Sequence, residues 1–394
     1  MAQPSPQTIS KQPKWVVSID RKKYVNSTAI SGSGALVMAG TFFHAYKPTD
    51  LLADSVPALT AAQDQFGTYC FDLNGKQLWS DEFTGYEGVY CVGISDDGST
   101  AASGGWYSYN PLMGFVRAYD AADGTQLFNY PVAGSRISSL ALSADGTTLV
   151  AGADSLYLFQ QSDGVFPTTP AVLTLSGARN YVQAVSISED GTLIVMGDAQ
   201  GNVYLIETNG GQIGQVYKWN SPSLATVHSV AMAASGGWFA VVGASQYVYL
   251  FSFASIKNGN YYAVYDLGQA GRVGWVAITK GGDFISAVSN NGKAGLVYGL
   301  QNKNQELVLL WSNPQPTPAN PNSTSVDFLG KYVAVADGYP DGTPGHFSLF
   351  DAPTGNLLWQ YETTNMSWPM FISSNGSGIA AGSDQGSVFY FTPK

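Results

Sequence analysis

Charge is scarce in this chain. Asp, Glu, Lys and Arg make up 12 % of its 394 residues, about half the usual quarter. Cations are scarcer still: 18 Lys and Arg stand against 28 Asp and Glu, for a net charge of −10. A nucleic-acid binder normally carries a basic patch, so that class is excluded. Low charge with 45 % hydrophobic residues also excludes a disordered chain, which needs the opposite balance. No run of about eighteen apolar residues occurs, so no membrane-spanning helix is expected. Only two cysteines are present, Cys70 and Cys91, and neither sits in a C-x-x-C. They are too few for a disulfide framework, and they form either one optional disulfide or two buried free thiols. The three histidines, His44, His228 and His346, have no metal-ligand neighbours at metalloprotease or zinc-finger spacing. No bound transition metal is therefore expected. The sequence has no G-x-S-x-G, and its Gly-rich turns lack the Lys-Ser/Thr of a phosphate loop. Sustained 3.6-residue periodicity is absent as well, so helix should be nearly absent.

Glycine and aromatics are abundant, with 45 Gly, 23 Tyr, 19 Phe and 9 Trp. The glycines organise the chain. A turn recurs eight times, its second residue being Gly34, Gly98, Gly146, Gly191, Gly237, Gly282, Gly330 and Gly376. Their spacing of about 45 residues is the length of a propeller blade. Four residues before each glycine the residue is apolar, and one residue later six of the eight carry a hydroxyl, as at Ser31, Ser95 and Thr279. Each unit parses into four short apolar strands separated by Asp-Gly, Asn-Gly and Gly-Gly hairpin turns. In the fourth unit these are 182–188, 193–197, 203–207 and 213–219. The eighth unit has only three strands, and Trp15-Val16-Val17-Ser18-Ile19-Asp20 matches the outer strands of other units. The expected fold is an all-β, eight-bladed β-propeller, with seven blades as the alternative. Its N-terminal strand closes the last blade and removes an open edge. The expected organisation is a flexible extension over 1–14 and one propeller domain over 15–394.

The stretches Tyr69-Cys70-Phe71-Asp72-Leu73-Asn74-Gly75-Lys76-Gln77-Leu78-Trp79 and Leu349-Phe350-Asp351-Ala352-Pro353-Thr354-Gly355-Asn356-Leu357-Leu358-Trp359 are similar to the repeat of quinoprotein propellers. The Asp-Gly turns resemble WD40 repeats. The chain from 15 to 392 thus resembles a WD40-like or quinoprotein (PQQ)-like repeat β-propeller. The resemblance implies a closed ring of blades. Pyrroloquinoline quinone with Ca²⁺ is a cofactor only if the chain is a quinoprotein enzyme, and otherwise none is expected.

Loops leading into the first strands, and those between second and third strands, open on one face, here called the top. Long insertions fall there: 42–66, Trp106 to Met113, 313–322 and 338–344. A short helix is expected, if anywhere, within 48–64. Loop length costs little stability and often carries function. The loops entering the inner strands of units three to six carry Arg136, Arg179, His228 and Arg272. Arg pairs carboxylates and phosphates through a bidentate fork, so a basic crescent on an acidic protein points to an anionic small molecule. Trp106 and Tyr109 would cover the apolar part of that ligand. The same arginines could instead pair with blade carboxylates. Asp154, Asp198 and Asp384 lie in turns between second and third strands, where Asp bonds its own backbone or, on a catalytic reading, acts on a substrate.

Three function classes follow. The first is a binding or scaffold propeller of the bacterial cell envelope, with a small anionic molecule or a protein partner on the top face. The second is a top-face enzyme of the quinoprotein dehydrogenase, lyase or lactonase type. The third is a carbohydrate-binding propeller, in which sugars stack on aromatics such as Trp106. The first is preferred, as a monomer without nucleic acid or a membrane span. The N-terminal Met1-Ala2-Gln3-Pro4-Ser5-Pro6 resembles a mature secreted terminus with an added Met, which together with the Gly/Ser/Asn/Tyr richness suggests a periplasmic or secreted protein.

Overall fold

The structure is a computed structural model. It describes residues 10–394 apart from 21–22, 43–63, 86, 110, 178–179, 222, 269–271, 291–294, 315–320 and 340–343. The insertion around 48–64, most of 313–322 and 340–343 lie outside the described residues. Among the described residues the strands group into eight antiparallel four-stranded sets. Sets one and two are joined into one sheet by a single pair, Phe42 with Gly88. The one α-helix among the described residues is the five-residue Phe253–Lys257. No helix among them is long and apolar enough to cross a membrane.

The inner strands are Tyr24–Ile30, Gly88–Ile94, Ser139–Leu142, Val182–Ile187, Val227–Met232, Arg272–Ile278, Pro321–Val326 and Ser367–Ile372. Each touches the inner strand before it and the one after it, and the eighth touches the first. The ring is closed by the N-terminal strand Trp15–Ser18, which pairs with Ser387–Phe391 in the register Trp15 to Tyr390 and Ser18 to Ser387. Ahead of it, Ser10 bridges Gln360 and the Lys11 N–H donates to the Gln360 carbonyl.

The recurring turn glycines sit at the bottom with positive φ, for example +76° at Gly34 and +72° at Gly191. A side chain is strained there, which explains the repeat. In unit five the positive-φ residue is Gly236, not Gly237, so that unit's register shifts by one. The repeated hydroxyl has a structural cause. Ser95 Oγ accepts the Thr100 N–H at 3.0 Å, Ser143 Oγ accepts that of Thr148 at 2.9 Å, and Thr279 Oγ1 accepts that of Phe284 at 3.1 Å. Asp327 does the same for Tyr332 at 2.7 Å. Turn-to-turn backbone bonds then run round the whole bottom rim. They link Gly32 to Asp96, Asp97 to Ala144, Ala144 to Glu189 and Glu189 to Ala234. They continue from Ser235 to Lys280, Lys280 to Phe328 and Phe328 to Ser374, and return from Asn375 to Gly32.

Apolar clusters fill the space between neighbouring sheets. Several outer-strand tryptophans donate their indole N–H across the seam to the next blade. Trp15 donates to Leu73 O, Trp79 to Ala121 O and Trp311 to Ala352 O, at 3.2, 2.9 and 2.6 Å. A Cβ at Gly75, Gly124 or Gly355 would come within 2.4–2.8 Å of these rings. The quinoprotein-like Asn-Gly, Asp-Gly and Thr-Gly turns are therefore docking surfaces for the preceding blade's tryptophan.

Candidate binding site in the axial channel

Seven of the eight inner strands share an irregularity at their top ends. The pairing with the second strand skips one residue between Val25 and Ser27, Val89 and Cys91, Val182 and Ala184, Val227 and Ser229, Val273 and Trp275, and Pro321 and Ser323. In blade eight it skips from Ser367 to Met370. Such β-bulges bend a strand and re-aim side chains. All fall eight residues before the turn glycine. The bulged residues Asn26, Tyr90, Gln183, His228, Asn322 and Trp368 all line the channel. Below them the seams between inner strands are bridged by serines. Ser27 Oγ accepts the Val92 N–H at 2.8 Å, Ser186 Oγ that of Met232 at 3.1 Å, and Ser325 Oγ that of Ile372 at 3.0 Å.

The channel encloses a cavity of about 640 Å³, within the range of small-molecule sites. Its lining is two-sided. Blades three to five present Arg136, Ser138, Gln183 and His228, and blades six and eight present Trp275, Trp368 and Phe371. The Trp275 and Phe371 rings meet edge-on at 6.4 Å. They flank blade seven, whose inner strand carries the small Ser323, Thr324 and Ser325 directly below Asn322.

Among the described residues Arg136 is the arginine of this lining. Its guanidinium lies 4.4 Å from the centroid of the Tyr90 ring and 6.0 Å from that of Trp106. The side chain is 33 % exposed, and Nη1 approaches Glu87 Oε2 at 3.6 Å, beyond a normal hydrogen bond. Arg117, by contrast, binds Asp81 at 2.7 Å. Glu87 is nearly sealed, with a side chain 3 % exposed. Burial pushes its carboxyl up to about 7, against the pull of Arg136. The folded protein therefore binds a proton at Glu87 that the unfolded chain has released between about pH 4.5 and 7. This group's contribution to stability is greatest below that window and is lost as pH rises through it. Replacing Glu87 by Gln should flatten the stability profile. The wild type should lose about 2 kcal/mol more than Glu87→Gln between about pH 5.5 and 8, measured by chemical unfolding at both pH values. Parallel profiles would show that Glu87 is not held protonated.

Of the residues expected at the site, the structure brings Arg136 and His228 to the channel. His228 is fixed by Nδ1 against the Val273 carbonyl at 2.9 Å. With the turn residue at Gly236, His228 lies two positions nearer the turn than Arg136 does in its own blade. Arg179 lies outside the described residues. Arg272 opens its inner strand opposite Asn290, but its side chain, like that of Tyr109, lies outside the described residues. The segment from Trp106 to Met113 is not a loop insertion. It continues the strands Thr100–Tyr109 and Leu112–Asp120 as a long hairpin, with Trp106 opposite Gly114. Trp106 is 9 % exposed, and its indole N–H donates to Ser108 O at 2.6 Å. It backs Arg136 and is not an open stacking platform. The apolar side of the channel comes from Trp275, Trp368 and Phe371 instead.

Both cysteines are free. Cys70 is buried, whereas Cys91 is half-buried and borders the channel. Burial pushes the Cys70 thiol up to about 12. The turn carboxylates have distinct fates. Asp198 is fully buried and bonded on both oxygens. Asp154 accepts from Tyr157. Asp384 keeps a buried Oδ1 without a hydrogen-bond partner, and burial raises it to about 7. His346, in blade seven, is buried with its Nδ1 3.0 Å from Asp337.

A quinone held with Ca²⁺ needs carboxylate oxygens beside the ring. No Asp or Glu lines the channel among the described residues, and these contain no cluster of three or more His, Cys, Asp or Glu. The described lining does not fit that cofactor.

The closed ring of four-stranded sheets, the Asp-Gly turns and the tryptophan docking define a repeat β-propeller of the WD40-like and PQQ-like kind. A family model described as "Outer membrane protein assembly factor BamB" matches residues 64–310, and the chain belongs to that family. No curated protein matches the sequence. Among solved structures the chain is similar to Chaetomium thermophilum Sqt1, solved bound to the N-terminus of the ribosomal protein L10. The TM-score is 0.70 at 15 % identity, covering 95 % of this chain and 99 % of that one. It is also similar to the Myceliophteria thermophila Cps50 (Swd1) β-propeller domain, with TM-score 0.59 at 14 % identity, covering 77 % and 96 %.

Proposed function

We propose that this chain is a binding propeller of the bacterial cell envelope that takes a small anionic molecule at the top of its axial channel. The observation that carries the reading is Arg136. Its guanidinium is stacked on Tyr90, one-third exposed at the channel and only loosely engaged by Glu87. Stacking holds the fork in place and leaves its edge for in-plane donation to a carboxylate or phosphate. Hydrogen bonds to a charged partner contribute about 1.5–3 kcal/mol each. Gln183 and His228 line the channel on the same side. The envelope location is supported by the family description and by the composition.

A protein partner on the top face is the second reading. It is favoured by the similarity to Sqt1, which was solved with the N-terminus of another protein.

The test is calorimetric titration with acetate and with inorganic phosphate at low ionic strength. At least one anion should bind, and Arg136→Ala should weaken it tenfold or more. An affinity that stays within twofold in Arg136→Ala, while the variant loses stability, would make the arginine structural and end this reading.

A further inference from the structure

The cavity described above has more chemistry than a single cation. In an eight-membered ring, blade three lies across the axis from blade seven. Arg136 enters blade three. Trp275 and Phe371 project from the two blades that flank blade seven, and Trp368 lies above Phe371 on the blade-eight strand. The small side chains of Ser323, Thr324 and Ser325 on blade seven let the Trp275 and Phe371 rings meet edge-on beside the cavity. All three aromatics are partly exposed to the cavity. A charged edge thus faces an aromatic wall across one cavity of about 640 Å³, with the hydrogen-bonding side chains of Ser138, Gln183 and His228 on the flank between them.

We propose that the channel is a site for an aromatic carboxylate: the carboxylate pairs with the Arg136 guanidinium at blade three, and the ring rests against Trp275, Trp368 and Phe371 at blades six to eight. The inference rests on the anion-binding reading above and narrows its ligand class. Three observations support it. Aromatic rings pack on one another in offset or edge-to-face geometry, and Trp275 and Phe371 already present that geometry to the cavity. A guanidinium stacked on Tyr90 presents its N–H edge to a planar carboxylate. No carboxylate lines the channel among the described residues, so an anionic ligand meets no like charge inside it. Glu87 lies behind Arg136, away from the lining, and competes for the same guanidinium. Neutralising it by Glu87→Gln should therefore strengthen anion binding. The charged group facing Glu87 is Arg136 from the loop entering blade three, and Tyr90, Cys91 and Trp106 of blade two surround that same guanidinium.

The experiment uses the whole chain and three probes: 1-naphthoate, acetate and the uncharged 1-naphthalenemethanol. Binding is read by calorimetry and by quenching of tryptophan fluorescence. Naphthoate should bind at least thirtyfold tighter than acetate. Trp368→Ala should weaken naphthoate at least tenfold and leave acetate within twofold, and Arg136→Ala should weaken both anions. Trp275→Phe and Trp368→Leu, which preserve bulk, serve if the alanine variant fails to fold. Their naphthoate affinity should fall while acetate stays unchanged. Acetate binding with naphthoate within threefold of it would overturn the aromatic site and leave the anion reading standing. Naphthalenemethanol binding as tightly as naphthoate would likewise overturn the aromatic-carboxylate site, and absence of all anion binding would overturn both.

Discussion

Deleting residues 2–19 should leave a chain that aggregates or unfolds below ordinary growth temperature. The deletion removes Trp15–Ser18, the outer strand of blade eight, and with it the antiparallel ladder to Ser387–Phe391. It also removes the Trp15 ring, which stacks on Tyr390 at 5.5 Å and 7° and whose indole N–H reaches the Leu73 carbonyl of blade one. Trp15 is therefore bound on both sides of the seam where the ring closes. Trp15→Ala alone should cost about 2 kcal/mol, below the usual core Trp value, because the ring is half-exposed. The full deletion loses that packing together with several ladder hydrogen bonds. The total is on the order of 5 kcal/mol, as large as the net stability of many domains. It also exposes Ser-Val-Phe-Tyr-Phe as an open edge, a template for pairing between chains. Size-exclusion chromatography and thermal unfolding of the truncated chain are the measurements. A synthetic peptide spanning residues 10–20, added in trans, should restore the monomer. A monodisperse truncated protein melting within about 3 °C of the parent would show that blade eight stands without its outer strand.

That closure was legible because it follows from a count: the eighth unit is one strand short, and a matching strand lies at the other terminus. The blades were legible for a related reason. A tight turn at positive φ selects Gly, and the hydroxyl three residues before it caps the turn, so both recur in register. Unit five shows the limit of that signal. Adjacent Gly236 and Gly237 both satisfied the spacing, and only the backbone angle separates them. The channel was far less legible. Its lining is set by bulges, and the bulged positions hold Asn26, Tyr90, Gln183, His228, Gly274, Asn322 and Trp368, which share no chemistry. Only their common offset of eight residues from the turn glycine could have picked them out. Arg136 was found because cations are rare in this chain. Its partner Glu87 lies in the preceding blade, and no local pattern links the two. Trp275, Trp368 and Phe371 read in sequence like any core aromatics. Only the ring geometry turns them toward one cavity.

Asp198→Ala should be among the most destabilising single substitutions on the top face, at about 3–5 kcal/mol. The carboxylate is fully buried and accepts from five donors. Oδ1 takes the N–H groups of Gln200 and Asn202 at 2.9 and 2.8 Å. Oδ2 takes Asn180 Nδ2, Asn202 Nδ2 and the Tyr204 hydroxyl at 2.9, 2.6 and 3.2 Å. Alanine would leave these donors without an acceptor in a space closed to solvent, and unsatisfied buried groups are costly. Asparagine would be a poor replacement for this carboxylate, so Asp198→Asn tests the charge separately. The amide can keep the two backbone bonds through oxygen but sets an NH₂ against three donors, so a loss between those of the parent and Asp198→Ala is expected. The same turn in blade three provides the control. Asp154 is exposed and, among the described residues, accepts only the Tyr157 hydroxyl at 2.9 Å, so Asp154→Ala should cost less than about 1 kcal/mol. Asn180 also donates to the Ser176 carbonyl, so Asp198 ties down the loop that leads into blade four at the channel mouth. Loss of Asp198 should therefore open that loop to proteolysis before the blades unfold. Limited proteolysis at room temperature, followed by mass spectrometry, should find new cleavage between residues 174 and 182 in Asp198→Ala and none in Asp154→Ala. Equal stability and identical cleavage maps for the two variants would show that the buried carboxylate is not what holds this turn.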